Sequence, residues 1–171
     1  EVLLAVRADS PLYETARRQA EARLYRVVRG ATGDERTRQA ARYLALALDV
    51  LDDDRLAALR APDDEAADAA FESARLRARR VLDVALSSET PDLPAAERAL
   101  AIVEELASRL NARFPADAEA ELLFRRVQIA SYRGDAGRVE GLLAQLETFG
   151  GRAAESAVRF LYNRALRAAD A

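Results

Sequence analysis

The sequence predicts an all-α chain of about seven helices folded as antiparallel hairpins. Three observations carry this. Half of the 171 residues are apolar, alanine and leucine lead that half, and only 6% of residues are aromatic, a composition that suits closely packed helices. Apolar positions recur at a helical period, while strict alternation is absent and β-branched residues are scarce, so no segment reads as a strand. Glycine, proline and acidic residues divide the periodic stretches as start and stop signals.

Each element is justified in turn. Ser10 is expected to cap a first helix with Pro11 in its first turn, and Leu12, Ala16, Ala20, Leu24, Val27 and Val28 share a helical period up to Gly30. Asp34 is expected to cap the next helix, whose "AARYLALALDVL" is apolar nearly all round and therefore central. The acidic run Asp52, Asp53 and Asp54 suits a helix start better than a helix end. It therefore predicts a break near Asp52 and a short helix to Arg60. Pro62 with Asp63, Asp64 and Glu65 opens a helix that runs to about Leu86, and "SSETPDLP" is the longest loop. A stripe of Ala99, Ile102, Val103, Leu106, Leu110 and Phe114 marks the helix after it. Asp117 is expected to cap "AEAELLFRRVQIASY". Gly134 stops that helix, Asp135 caps the next up to Gly150 and Gly151, and "AAESAVRFLYNRALRAAD" is the last. Residues 1–10 read as a linker or the end of an upstream segment, and 11–171 as one all-α domain.

Composition bounds the chemistry. All 26 basic residues are arginine, which reads as GC-rich coding. Because 29 acidic residues outnumber them, for a net charge of −3, no nucleic-acid partner is expected. Without cysteine or histidine there is no disulfide, no thiol or imidazole catalysis and no zinc site of the usual kind. The compartment is not fixed by this. No apolar run approaches the ~20 residues that span a bilayer. The chain contains no methionine and begins at Glu1, so it is expected to be processed or excised. "EVLLAV" is too short for a signal-peptide core and lacks a basic start.

The stretch "SYRGDAGRVEGLL" at 131–143 is the most informative. Gly134 permits a sharp turn and Asp135 supplies the acceptor that starts the returning helix, so the two helices must lie antiparallel. With Leu123, Val127 and Ala130 before the turn and Val139, Leu143 and Leu146 after it, this hairpin resembles a tetratricopeptide repeat. Val158, Tyr162 and Ala165 repeat the first-helix spacing 35 residues later, near that family's period of about 34. Ala99, Val103 and Leu106 echo the second-helix spacing 40 residues earlier. The resemblance covers 95–169, and over 11–86 it is architectural only. Leu123 stands where the family has a large aromatic, Val139 where it has a small residue, and the first-helix glycine is absent.

The resemblance implies a short right-handed α-solenoid and a concave groove for a peptide or partner protein. Helices 118–132 and 152–169 would lie side by side with 136–148 behind them. Leu123, Val127, Val158 and Tyr162 would face the core. Phe124, Gln128, Ser131, Arg159, Asn163 and Arg167 would line the groove, with the arginines favouring an acidic or C-terminal peptide. No catalytic residue, cofactor or metal is assigned. "DDD" at 52–54 and "DDE" at 63–65 lack the spacing of a calcium loop and read as helix starts. "RLRARR" at 75–80 reads as a solvated face, with Glu72–Arg75 paired and Asp83 within reach of Arg79 and Arg80. The expected function is a non-catalytic protein-interaction module. One rival is a packing or oligomerisation segment of a larger protein, which an exposed apolar stripe on an end helix favours. The other is a regulatory domain binding a small ligand or nucleic acid, which a deep pocket or salt-sensitive DNA binding favours.

Overall fold

The computed structural model describes residues 6–87, 90–110 and 116–169. Among them are seven α-helices and no strand: α1 Tyr13–Gly30, α2 Gly33–Leu59, α3 Asp64–Leu86, α4 Leu93–Arg109, α5 Ala116–Arg133, α6 Ala136–Phe149 and α7 Arg152–Ala169. The chain is all-α. Its helices group into two compact units, Glu1–Ala112 and Arg113–Ala171, within the span that the sequence reading takes as one domain. No helix among the described residues is long and apolar enough to cross a membrane.

In the first unit α2 packs against α1, α3 and α4, and α3 also packs against α4. The apolar circumference of α2 explains its central place. Tyr43, Ala47, Val50, Leu51 and Ala58 are buried along one stripe. Ala74, Ala78 and Ala85 of α3 are buried beside Val81 and Leu82, and these small side chains let the helix axes approach. Ala99, Ile102, Val103 and Leu106 of α4 are buried as their spacing predicts, and Leu110 is half-buried. Phe114 and the "EVLLA" opening lie outside the described residues.

Helix starts follow side-chain acceptors, with shifts of a residue or two. Asp63 accepts from the Ala66 N–H at 2.8 Å and Asp92 from the Ala95 N–H at 3.0 Å, each satisfying a donor that the first helical turn leaves open. Ser10 accepts from the Leu12 N–H at 3.2 Å, but α1 itself begins at Tyr13. Asp34 does not cap α2: Thr32 holds the cap position without a side-chain bond, and Asp34 lies in the first turn. Asp117 likewise lies inside the first turn of α5.

The expected break at Asp52 does not occur, and α2 runs unbroken from Gly33 to Leu59. Neighbouring helices supply the reason. Asp52 pairs with Arg98 of α4, Asp53 with Arg17 of α1, and Asp54 with Arg18 of α1 at 2.6 Å and Arg77 of α3 at 3.2 Å. Tertiary guanidinium groups neutralise the carboxylates, so they need no helix N-terminus. The same contacts correct the reading of "RLRARR". Arg75 pairs with Glu72 as expected, and its hydrogen bonds hold the Glu72 carboxyl below its ordinary 4.5. Arg77, however, is only 7% exposed and faces inward.

In the second unit α5 packs against α6 and α7, and α6 against α7. The α5–α6 turn is set by Gly134, at φ +74°. The Gly134 N–H donates to the Ser131 carbonyl and the Asp135 N–H to the Ala130 carbonyl, both at 3.0 Å. This pattern closes a helix through a left-handed residue. Asp135 then accepts from the Arg138 N–H at 3.0 Å and starts α6. Leu123, Val127, Ala130, Leu142, Leu146 and Ala157 form the core of the unit.

Candidate functional site

The side of α7 that meets the core is not the one the repeat spacing predicts. Ala157 is fully buried, with Ala153, Ala154 and Leu161 packed around it. Phe160 meets the Phe124 ring edge-to-face at 6.3 Å and the Tyr132 ring at 5.6 Å. Arg164 lies over Tyr132 at 4.7 Å and donates to the Ser131 hydroxyl at 3.1 Å. Alanines at 153 and 157 allow close approach, so α7 turns this row inward.

Val158 and Tyr162, expected in the core, are therefore 60% and 64% exposed, and Leu166 is 47% exposed. They stand four residues apart, on one line of the helix. The apolar arc of α7 is wider than the part that α5 and α6 cover. A shallow groove of about 550 Å³ runs over Ala154, Glu155, Val158, Arg159 and Tyr162.

The six residues assigned to a shared groove do not form one surface. Arg159, Asn163 and Arg167 are exposed and four apart, as expected, forming a polar row beside the apolar line. On α5, Phe124 is half-buried against Phe160, and Ser131 accepts from Arg164. Gln128 is buried and accepts from Arg125 at 3.1 Å. These three serve packing within the unit. The arrangement at α7 is an uncovered apolar line edged by cations, suited to laying another helix alongside. The pairing of Ala153 with Ala157 at i, i+4 was the available signal for the inward row.

The first unit contains a second concentration of unusual groups. Glu21, Asp54 and Arg77 are all buried. Arg77 Nη1 lies 3.5 Å from Glu21 Oε2, and Ser73 donates to Asp54 at 3.3 Å. Glu21 Oε1 and the Tyr43 hydroxyl are buried without a hydrogen-bond partner. Burial, and next the charge of Glu21, raise the Tyr43 phenol well above its ordinary value of 10. Among the described residues no group of three or more acidic side chains gathers as a cation site would require. This cluster ties α1, α2 and α3 together.

By class the chain is an all-α protein with an exposed apolar line on α7. Set against family models, curated proteins and solved structures, the chain matches none of them.

Proposed function

We propose that the chain is a non-catalytic protein-interaction module of tetratricopeptide-like hairpins, and that α7 receives an amphipathic helix of a partner protein. The observation that carries this is the exposed line Val158–Tyr162–Leu166. Its register supports a helical occupant. Leu123, Val127 and Ala130 of α5 lie beneath Leu142 and Leu146 of α6. Val158, Tyr162 and Ala165 have the same spacing on α7 and lie uncovered. A partner helix bearing apolar residues at i, i+4 and i+7 would cover them as α6 covers α5. Arg159 and Arg167 beside the line favour acidic residues on its flank.

The same stripe favours a second reading, in which copies of this chain or a segment of a larger protein pack on α7. Two measurements separate the readings. Acidic-flanked amphipathic peptides should bind saturably, lose binding with Tyr162→Asp and weaken with the double variant Arg159→Ala, Arg167→Ala. Sedimentation of the chain alone should show a monomer; a dimer that Tyr162→Asp dissociates would favour self-packing. A monomer that binds no such peptide defeats the partner-helix reading and packing between copies of this chain.

A further inference from the structure

Within the first unit α2, α3 and α4 each pack on the other two, whereas α1 packs chiefly on α2. The apolar contribution of α1 is small. Ala16, Ala20 and Val28 are buried, Tyr13, Leu24 and Tyr25 are half-buried, and Leu12 and Val27 are exposed. By contrast α3 buries Phe71, Val81, Leu82, Val84 and Leu86, and α4 buries Leu100, Ile102, Val103 and Leu106. Apolar burial therefore holds α1 less firmly than its neighbours.

Charge supplies the rest. Arg17 pairs with Asp53 and Asp49 of α2, Arg18 with Asp54 of α2, and Glu21 with Arg77 and Arg80 of α3. These pairs fix where α1 lies but add little net adhesion, because desolvation offsets much of the attraction between buried ions. Docking buries Glu21 and leaves its Oε1 without a well-formed hydrogen bond. Departure of α1 would return Arg17, Arg18 and Glu21 to water. Asp54 would keep Arg77 at 3.2 Å within the other three helices, so no buried charge would be stranded.

The line of α2 beneath α1 is continuous. Tyr43, Ala47, Val50 and Asp54 stand at i, i+4, i+7 and i+11, on one face. α1 meets both ends of it: Tyr25 packs on the Tyr43 ring at 5.5 Å and Arg18 pairs with Asp54 at 2.6 Å. We propose that α1 is a releasable cover, which leaves α2 as a unit about the short connection at Ala31 and Thr32 and bares this line while α2, α3 and α4 stay folded. The device lies in the first unit and does not rest on the reading of α7.

The chain has no cysteine, so a single introduced thiol reports uncovering. Ala47→Cys places one beneath α1 and Ala99→Cys places one in α4, at alanines that are both fully buried. In the full chain at neutral pH, a chromogenic disulfide reagent should reach position 47 at least about tenfold faster than position 99. Arg18→Gln leaves Asp54 one guanidinium short in the docked state only, and should speed reaction at 47 about tenfold. Ile102→Val weakens docked and undocked states alike. It should speed reaction at 99 by roughly two- to tenfold and leave 47 as it was. Equal rates at the two positions, an unchanged rate at 47 with Arg18→Gln, or acceleration of both positions by Ile102→Val overturns the proposal. If either cysteine variant does not fold, as circular dichroism would show, hydrogen exchange of the unaltered chain decides. The amides of Ala16–Val28 should exchange together, at least about tenfold faster than those of α4, and equal protection of the two helices overturns the cover.

Discussion

Gly134 and Asp135 show how little side-chain material sets the α5–α6 turn. A Cβ built on Gly134 meets nothing within 4 Å, so space does not demand glycine there. The demand comes from φ +74°, where an L-residue with a branched Cβ is strained. Gly134→Val should therefore lower stability by more than about 1 kcal/mol. Asp135→Ala, which removes the acceptor for the Arg138 N–H, should lower it by about 1 kcal/mol. Thermal melts of the two variants check both, and unchanged midpoints would mean that the turn is not tight. At Tyr43 the buried hydroxyl faces the Glu21 carboxylate without a well-formed hydrogen bond, so it contributes little at neutral pH. Tyr43→Phe should stay within about 1 kcal/mol of wild type at pH 7. The folded state raises the phenol's pKa and so holds it neutral. That preference is fully in place below pH 10 and is lost as the pH rises above it. Urea midpoints at pH 7 and pH 11 should thus show the variant losing less stability at the alkaline end. Arg77 is the opposite case. Arg77→Met removes the guanidinium that Glu21 and Asp54 share and leaves them only Arg80 and Arg18, so it should destabilise by up to about 3–5 kcal/mol.

At the scale of elements, what was legible in the sequence was local. The turn at Gly134–Asp135, the central place of α2 and the α4 stripe all follow from chemistry within a few residues. What was not legible depended on partners distant in sequence. "DDD" obeys the dipole rule for a helix start, but Arg98, Arg17 and Arg77 come from three other helices and override it. The row that α7 turns inward depends on how closely alanines let α5 approach, which the 35-residue echo does not encode. Of the groove residues, spacing correctly gave the row Arg159, Asn163 and Arg167. It could not foresee that Phe124 and Ser131 would be occupied by α7 itself. The same local logic makes α6 improvable. Gly137 and Gly141 lie inside that helix without positive φ, and an added Cβ on either meets nothing within 4 Å. Alanine at each should raise stability by about 0.5–1 kcal/mol, read as a higher melting temperature. A fall at either site would indicate that the glycine serves a contact of another kind.

At the scale of the whole molecule, apolar material divides into what folding consumes and what remains for association. Leu146 is fully buried and Tyr162 is 64% exposed. Leu146→Ala should cost about 2–5 kcal/mol. Tyr162→Asp should leave stability within about 0.5 kcal/mol and act instead on binding or self-association. Denaturant melts and peptide titrations of the same two variants separate the roles. If Tyr162→Asp unfolds the chain, the α7 line is core and the interaction reading is wrong.

The three aspartates of α2 have a further consequence, best put in terms of reading frames. Their stations face three different helices, but the residue filling each is the same, and two alanines, Ala57 and Ala58, follow shortly after. Gain of one in-frame aspartate codon within the run keeps aspartate at all three stations, and the buried station of Ala58 receives Ala57. The added residue shifts only the end of α2 from station 55 onward, where an aspartate takes the place of Arg55 opposite Glu105 at a cost confined to that partly exposed contact. Loss of one codon moves Arg55 into the station of Asp54, which is 2% exposed and lies against Arg18 and Arg77. Three arginines would then share a site built around a carboxylate. Lengthening this tract by one codon should leave a folded protein and shortening it should not, an asymmetry that paired single-codon variants would reveal as soluble against insoluble product.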